Sequence, residues 1–262
     1  MSVPDPGLLL LKMAIAAAVV VTCSLIAERS GPKIAAMIAT LPISLGPVLF
    51  FLSLEHEPAF LAESARGTMN ANIANAGFVL AYVLVAQRFT TLPSLLSALA
   101  AWVATLLGVR FLAPSALFLT LLAVVAFGSI HLVVRPYLAA RPAVASRRAW
   151  FAVPLRAACV AALVGGVTVA SHHVGASWSG VLAGLPLVLS SLVMILQPRI
   201  GGAATAALIG NGALGLLGVG LGLAVLYLAA VPLGSGPALV LGLLVSVCWN
   251  AGLLGLARRP AP

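Results

Sequence analysis

Charged side chains are scarce in this sequence, and acidic ones are the scarcest. Charged residues make up 7% of the 262 residues, and only five are Asp or Glu. A soluble domain carries about 25% charged residues. None of the five acidic residues lies deep inside a long apolar segment. The intramembrane carboxylate that is typical of proton pumps is therefore missing.

Several catalytic motifs are also missing. The sequence has no phosphate-binding Gly-Lys-Ser loop, no His-Glu-x-x-His motif and no pair of aspartates within its apolar segments. These absences argue against an ATPase and a membrane protease. The three cysteines, Cys23, Cys159 and Cys248, lie far apart within apolar segments and form no metal-binding motif. We therefore expect no enzymatic activity, no cofactor and no metal.

Apolar residues, in contrast, dominate the chain. They make up 62% of the sequence, and the mean hydropathy is +1.18, which predicts an all-α, polytopic integral membrane protein with the lipid bilayer as its main partner. The net charge of +9 could indicate a nucleic-acid partner. The basic residues, however, separate apolar segments instead of clustering, as they do in membrane proteins, so we expect no nucleic acid. No basic region precedes the first apolar segment, so we expect no cleaved signal peptide.

The lengths of the apolar segments predict nine transmembrane helices. They are residues 8–27, 34–54, 58–87, 92–109, 114–134, 152–171, 178–196, 203–228 and 237–256. Five precede the most basic loop and four follow it. We divide the chain into a first four-helix unit (1–111), a fifth helix with the basic loop (112–148) and a second four-helix unit (149–262).

The basic residues also predict an orientation. With nine spans, eleven of the fourteen Lys and Arg residues fall on one side of the membrane. Only Lys12, Arg66 and Arg110 fall on the other side, where Lys12 can extend its ammonium group to the interface. The positive-inside rule makes the first side cytoplasmic. We expect the N-terminus outside and the C-terminus inside, in a bacterial inner membrane.

The second apolar segment is interrupted, and the interruption recurs. Pro42 lies near the middle of residues 34–54, and Leu185-Pro186 repeats Leu41-Pro42 at an offset of 144. Proline removes an amide donor and clashes with the preceding turn, so both helices should kink or break. Exposed backbone groups in hydrocarbon need partners or a water-lined cavity. A broken helix that occurs twice is typical of transporters that are built from two similar halves.

Other residue types recur in the same order. Lys12 aligns with Arg156 at an offset of 144, Asn75 with Asn211 at 136, and Trp102 with Trp249 at 147. Each unit then has four spans. One extra helix between two four-span units turns the second unit upside down, which gives an inverted-topology repeat, 4+1+4.

The four-span unit resembles the small bacterial inner-membrane proteins of the GlpM type. The resemblance rests on Leu10-Leu11-Lys12 with the following Ala17-Ala18-Val19-Val20-Val21, on Ile38-Ala39-Thr40-Leu41-Pro42, and on Ala101-Trp102 with Ala104-Thr105-Leu106-Leu107. It implies the architecture of a fused, inverted pair of such units and no particular activity.

The repeated breaks suggest a binding site for a small molecule or an ion between the two units. The candidate residues share a polar side chain or a position at a break: Thr40, Pro42, Ser44, Gly46, Asn75, Pro186, Ser190, Ser191 and Asn211. Glu28 aligns with His172 and forms with it a candidate gating pair, since histidine titrates near neutrality. Each candidate also has a structural interpretation: a proline kink, an amide bond between packed helices, a serine bonded to its own helix, or polar loop residues.

The leading functional hypothesis is a secondary transporter or permease for a small solute that works by alternating access, as a monomer or as a homo-oligomer. The alternative is a non-transporting accessory or scaffold protein of an envelope pathway. A membrane-embedded enzyme or a channel is a third, weaker hypothesis. Transport predicts polar residues that converge at mid-membrane, and a scaffold predicts a dry, filled interface.

Overall fold

A computed structural model describes residues 5–29, 42–112, 115–140 and 151–256, and over these residues the fold is helical with no strand. The helices are α1 (Pro6–Arg29), α2 (Leu45–Glu55), α3 (Pro58–Val85), α4 (Thr91–Phe111), α5 (Ala116–Val134), α6 (Ala152–Ala183), α7 (Leu187–Ile200), α8 (Gly202–Asn211), α9 (Ala213–Leu233) and α10 (Ser235–Leu256), with a short 3-10 turn at Arg135–Tyr137. The predicted all-α class is confirmed.

Seven segments of the described chain are long and apolar enough to cross a bilayer. The protein is therefore a multi-pass membrane protein by the length and composition of its helices. The sequence predicts nine spans, and the difference has two sources. The predicted spans 152–171 and 178–196 lie within one 49-residue segment, Ala152–Ile200. The predicted span 34–54 is described only from Pro42 onward, where α2 has 11 residues.

The helix α3 forms the centre of the molecule. It packs against α4, α5, α6, α8 and α9, and it is the most buried of the candidate spans. Pro58 begins it, as the sequence predicts, because the ring of a first-turn proline costs the helix no hydrogen bond. Its small residues, such as Ala65, Gly67 and Ala74, allow neighbouring helices to approach closely.

Two breaks interrupt the chain between the start of α6 and the end of α7. The first is at Gly175, whose φ of 76° and ψ of 169° lie outside the helical region. A side chain would be strained there, so glycine is the residue that permits the break. The second is at Leu185-Pro186, between the end of α6 and the start of α7. The predicted break at Pro186 is therefore present. The break at Gly175 is a second interruption of the helical backbone, eleven residues earlier.

After Gly175, α6 runs beside α3 in the same direction, and α7, which follows it, reaches α3 through Gln197. Ser64 donates its hydroxyl to the carbonyl of Ala176, Thr68 donates to the carbonyl of Gly180, and Tyr82 donates to Gln197. The partners thus advance together along both segments. This long contact joins the two halves of the sequence.

The closest point of that contact is a glycine crossing. A methyl group at Gly180 would collide with the carbonyl oxygen of Ser64, and one at Gly67 would collide with the carbonyl oxygen of Ser177. Backbone atoms cannot move aside as a flexible side chain can. Glycine at both positions therefore sets the spacing of α3 and α6.

We expect Gly180→Ala to destabilise the protein by about 1–3 kcal/mol, because the added methyl group forces the two helices apart. Unfolding in mixed micelles by SDS titration measures the change. Gly166→Ala is the matched control on the same helix, since a methyl group there meets no described atom within 4 Å. Equal stability of the two variants would contradict the crossing as described.

Candidate functional site

A group of polar residues joins α1, the end of α2 and α6. We call Lys12, Glu55, His56, Ser171 and His172 the charge cluster. Lys12 is only 5% exposed, and its Nζ forms an ion pair with Oε1 of Glu55, the last residue of α2. A buried charge within an apolar helix is costly unless it has a partner. Glu55 supplies that partner, and the predicted position of Lys12 at the interface remains a prediction.

The ring of His56 is held by two neighbours. Its Nε2 lies 2.9 Å from Oγ of Ser171, and the ring stacks on Phe60 with centroids 3.7 Å apart. Ser171 donates its own hydroxyl proton to the carbonyl of Thr168 at 2.8 Å. The proton between His56 and Ser171 must therefore be on Nε2, which leaves the lone pair of the neutral ring on Nδ1.

His172 approaches the same carboxylate from α6. Its Nε2 lies 3.9 Å from Oε2 of Glu55, and its ring centroid is 5.2 Å from that of His56. The Oε2 atom is buried and has no hydrogen-bond partner within the described part of the chain. One oxygen of Glu55 is thus engaged by Lys12 and the other is available.

The electrostatics of His56 favour the neutral ring. His56 follows the end of α2 and precedes α3. Burial lowers its pKa most, the nearby His172 lowers it further, Glu55 opposes this change, and Lys12 adds to the lowering. His56 is therefore expected to keep a lone pair at neutral pH.

A second feature is an apolar pocket between α2, α9 and α10. It has a volume of about 250 Å³, and its lining residues are Pro42, Leu45, Gly46, Leu49, Phe50, Val219, Gly222, Leu223, Leu226, Leu239, Val240, Gly242, Leu243 and Ser246. Ser246 is only 2% exposed. Its Oγ has no hydrogen-bond partner among the described residues. The pocket can accept a small, mainly apolar body with one polar group.

A third feature is a hydrogen-bonded seal between α7, α3 and α4. Tyr82 donates its hydroxyl to Oε1 of Gln197 at 2.9 Å. Gln197 donates from Nε2 to the carbonyl of Phe89 at 3.0 Å, just before α4. Tyr82, Gln197 and the adjacent Ser94 are all buried. The amide of Gln197 therefore ties three buried segments together.

The structure brings some of the predicted site residues to the pocket and places others elsewhere. Pro42 and Gly46 line it, and Ser44 precedes α2 as its half-buried N-cap, with no side-chain cap bond. Pro186 is buried before α7, with Ser190 in the first turn after it. Ser191 donates to the carbonyl of Val188 at 2.8 Å, which is the bond to its own helix.

The two paired asparagines have separate partners. Asn75 accepts a hydrogen bond from Nε1 of Trp102 at 2.9 Å. Asn211 is exposed and donates to the carbonyls of Leu138 and Ala207. Their amides therefore serve helix packing, and the structure gives them no shared partner. Thr40 and the side chain of Glu28 lie outside the described residues, while His172 joins the charge cluster.

Sequence reasoning missed the residues that make the most specific contacts. Lys12 and Glu55 were recognisable as opposite charges on the same predicted side of the membrane. Gln197 is a polar residue at the end of an apolar span, and Ser246 lies within one. These residues share the burial of a polar side chain between helices. That burial cannot be read from the sequence, because it depends on which helices become neighbours.

The chain matches no family model, and it has no significant match among curated proteins or solved structures. Its function must therefore be inferred from the three features described above.

Proposed function

We propose that this protein is a secondary transporter, or permease, for a small solute, and that it works by alternating access. The observation that carries the proposal is an asymmetry between two places that the proposed repeat would make equivalent. The pocket lies open between α2, α9 and α10, and the seal of Gln197 closes the corresponding contact between α7, α3 and α4. A transporter with inverted repeats is expected to have one of the two corresponding contacts open while the other is closed.

Contacts that occur in pairs support the proposed 4+1+4 repeat. The contact of α3 with α4 corresponds to that of α9 with α10, and the contact of α2 with α10 corresponds to that of α7 with α4. The helix α5, which belongs to neither unit, contacts both α3 and α9. These pairs are expected when a pseudo-two-fold axis passes near α5.

Equivalent hydrogen bonds support the same repeat. The amide of Gly46 donates to the carbonyl of Pro42, and the amide of Ser190 donates to the carbonyl of Pro186, at the offset of 144. Trp102 donates its indole N–H to Asn75 on α3, and Trp249 donates its own to the carbonyl of Leu214 on α9. The bonds at the two breaks match residue for residue, whereas the two tryptophans bond to corresponding helices through acceptors that do not align.

The proposal retains nine membrane crossings. The two parts of α6 on either side of Gly175 would belong to different crossings, the second of which continues through α7. The predicted second span would end with α2. With the N-terminus outside and the C-terminus in the cytoplasm of a bacterial inner membrane, the charge cluster would lie at the outer end and Gln197 at the inner end.

In this scheme the solute enters one side while the other is sealed. The apolar lining of the pocket suits a small solute with an apolar body, and the hydroxyl of Ser246 offers one hydrogen bond. Rocking of one unit against the other would close the face of α2 on α9 and α10, and would separate α7 from α4. The Leu-Pro breaks would act as hinges at the ends of α2 and α7.

The proposal is tested by the accessibility of single cysteines from each side of the membrane. In a background that replaces Cys23, Cys159 and Cys248 by Ala, we expect Gly46→Cys to react with a membrane-impermeant maleimide in both right-side-out and inverted vesicles. Alternating access exposes the pocket to each side in turn. Gly46 suits the label, since a Cβ there meets no described atom within 4 Å.

Two control positions make the result interpretable. Ser115→Cys, just before α5, should react only from the outside, which also checks the orientation. Val125→Cys, on α5 and 62% exposed, should face lipid and react from neither side. If Gly46→Cys reacts from one side only or not at all, the transporter proposal fails and the scaffold alternative replaces it.

A further inference from the structure

The charge cluster contains a group of side chains that the transport scheme does not use. Glu55, His56 and His172 each offer one ligand atom, and these atoms all lie within 4.8 Å of one another. They come from two parts of the chain, the junction of α2 with α3 and the turn of α6 that precedes Gly175. None of the three lines the apolar pocket.

These side chains have the chemistry of a transition-metal site. Two imidazoles and one carboxylate form a common three-ligand set for Zn²⁺, in which water takes the fourth position. Calcium and magnesium prefer oxygen ligands throughout. Zinc bonds of about 2.0–2.2 Å place tetrahedral ligand atoms roughly 3.4 Å apart. His172 Nε2 and Glu55 Oε2 are 3.9 Å apart, and all three ligand atoms lie within 4.8 Å of one another, so metal binding requires the three side chains to close by at most about 1.4 Å.

Independent features of the cluster also point to a bound cation. Oε2 of Glu55 is buried and lacks a hydrogen-bond partner within the described part of the chain. A buried carboxylate oxygen without a partner is costly. The bond from His56 Nε2 to Ser171 fixes the ring and its tautomer, as outer partners do for metal-binding histidines.

We propose that Glu55, His56 and His172 bind one divalent d-block cation of the Zn²⁺ class, and that the Lys12 ammonium competes with this cation for Glu55. Binding would connect the junction of α2 and α3 to α6. In the metal-free protein Lys12 pairs with Oε1 of the carboxylate, and its positive charge opposes the binding of a cation at Oε2. The proposal does not depend on transport, because the ligands lie apart from the pocket.

The test is metal binding to the purified full-length chain in detergent. In the cysteine-free background, competition with a chromophoric chelator should show one equivalent of Zn²⁺. Co²⁺ at the same site should give the visible absorption of a four-coordinate ion. We expect His172→Gln and His56→Gln each to weaken Zn²⁺ binding at least a hundredfold. Lys12→Met should strengthen it about tenfold or more, because a competing cation is removed.

His173→Gln and His131→Gln are the matched controls, since neither residue belongs to the three ligands. Both should bind Zn²⁺ as the parent protein does. If His56→Gln fails to fold, His172→Gln decides the test, because His172 is exposed. Zn²⁺ should raise the midpoint of thermal unfolding of the parent and not that of His172→Gln. Absence of binding, or binding that survives His172→Gln, would overturn the proposal.

Discussion

Glu55→Gln alone should destabilise the protein far more than the double replacement Lys12→Met with Glu55→Gln. The single change leaves the ammonium of Lys12 buried, with no carboxylate opposite it. Removal of one partner from a buried ion pair costs about 3–5 kcal/mol, because an uncompensated charge remains. In the double variant no charge remains, and methionine fills much of the volume of lysine. We therefore expect the double variant to recover most of the lost stability.

The measurement is SDS-induced unfolding in mixed micelles, with the monodisperse fraction after extraction as a second readout. Glu63→Gln is the matched control, because Glu63 forms an exposed ion pair with Arg66, three residues away. Such pairs contribute at most about 1 kcal/mol. If the single and double variants lose the same free energy, the Lys12–Glu55 pair does not hold α1 against α2.

Gln197→Leu should open the sealed face between α7 and α4. It removes the acceptor of the Tyr82 hydroxyl and the amide bond to the Phe89 carbonyl. Loss of these buried hydrogen bonds costs about 1–3 kcal/mol, although Thr205 remains as a second neighbour of the Tyr82 hydroxyl. In the proposed scheme this cost falls on the sealed state alone, so the equilibrium shifts toward the state in which the seal is open. The shift is roughly 5- to 150-fold, at 1.4 kcal/mol for each factor of ten.

The rate of maleimide labelling at Ser190→Cys, measured from the cytoplasmic side, reports this shift. We expect it to rise at least fivefold with Gln197→Leu. Gln87→Leu is the matched control near the same end of α3, because within the described chain Gln87 bonds to the carbonyl of Val83, four residues earlier, and not to another helix. An unchanged rate with Gln197→Leu would show that Gln197 does not hold this face closed.

The sequence predicted the features that arise from local chemistry. Pro186 interrupts its helix because the ring removes an amide donor, and Pro58 begins α3 for the related reason that a first turn does not need one. The membrane class could be predicted because the length and hydropathy of each apolar segment are also local properties. The sequence predicts a connection between residues 171 and 178, whereas in the structure helix continues on both sides of Gly175 and only this residue leaves the helical conformation.

The candidate site was harder to predict because its residues meet across the chain. His56 and Ser171 are 115 residues apart in sequence, and His172 aligned with Glu28 in the repeat, not with Glu55. An alignment of the two units finds equivalent positions, whereas the charge cluster joins positions that are not equivalent. Asn75 and Asn211 show the reverse case, because they align in the two units and yet bond to different partners.

The Lys12–Glu55 ion pair also constrains how the chain enters the membrane during synthesis. Glu55 follows Lys12 by 43 residues, so α1 reaches the translocon before its counter-charge has left the ribosome. Lys12 lies in the second turn of α1, at the outer end of the helix in the proposed orientation, where an unpaired charge costs less than the roughly 2.5–3.5 kcal/mol of a central position. Nascent α1 therefore inserts with its ammonium at the interface, and the Lys12–Glu55 pair forms only when α2 follows.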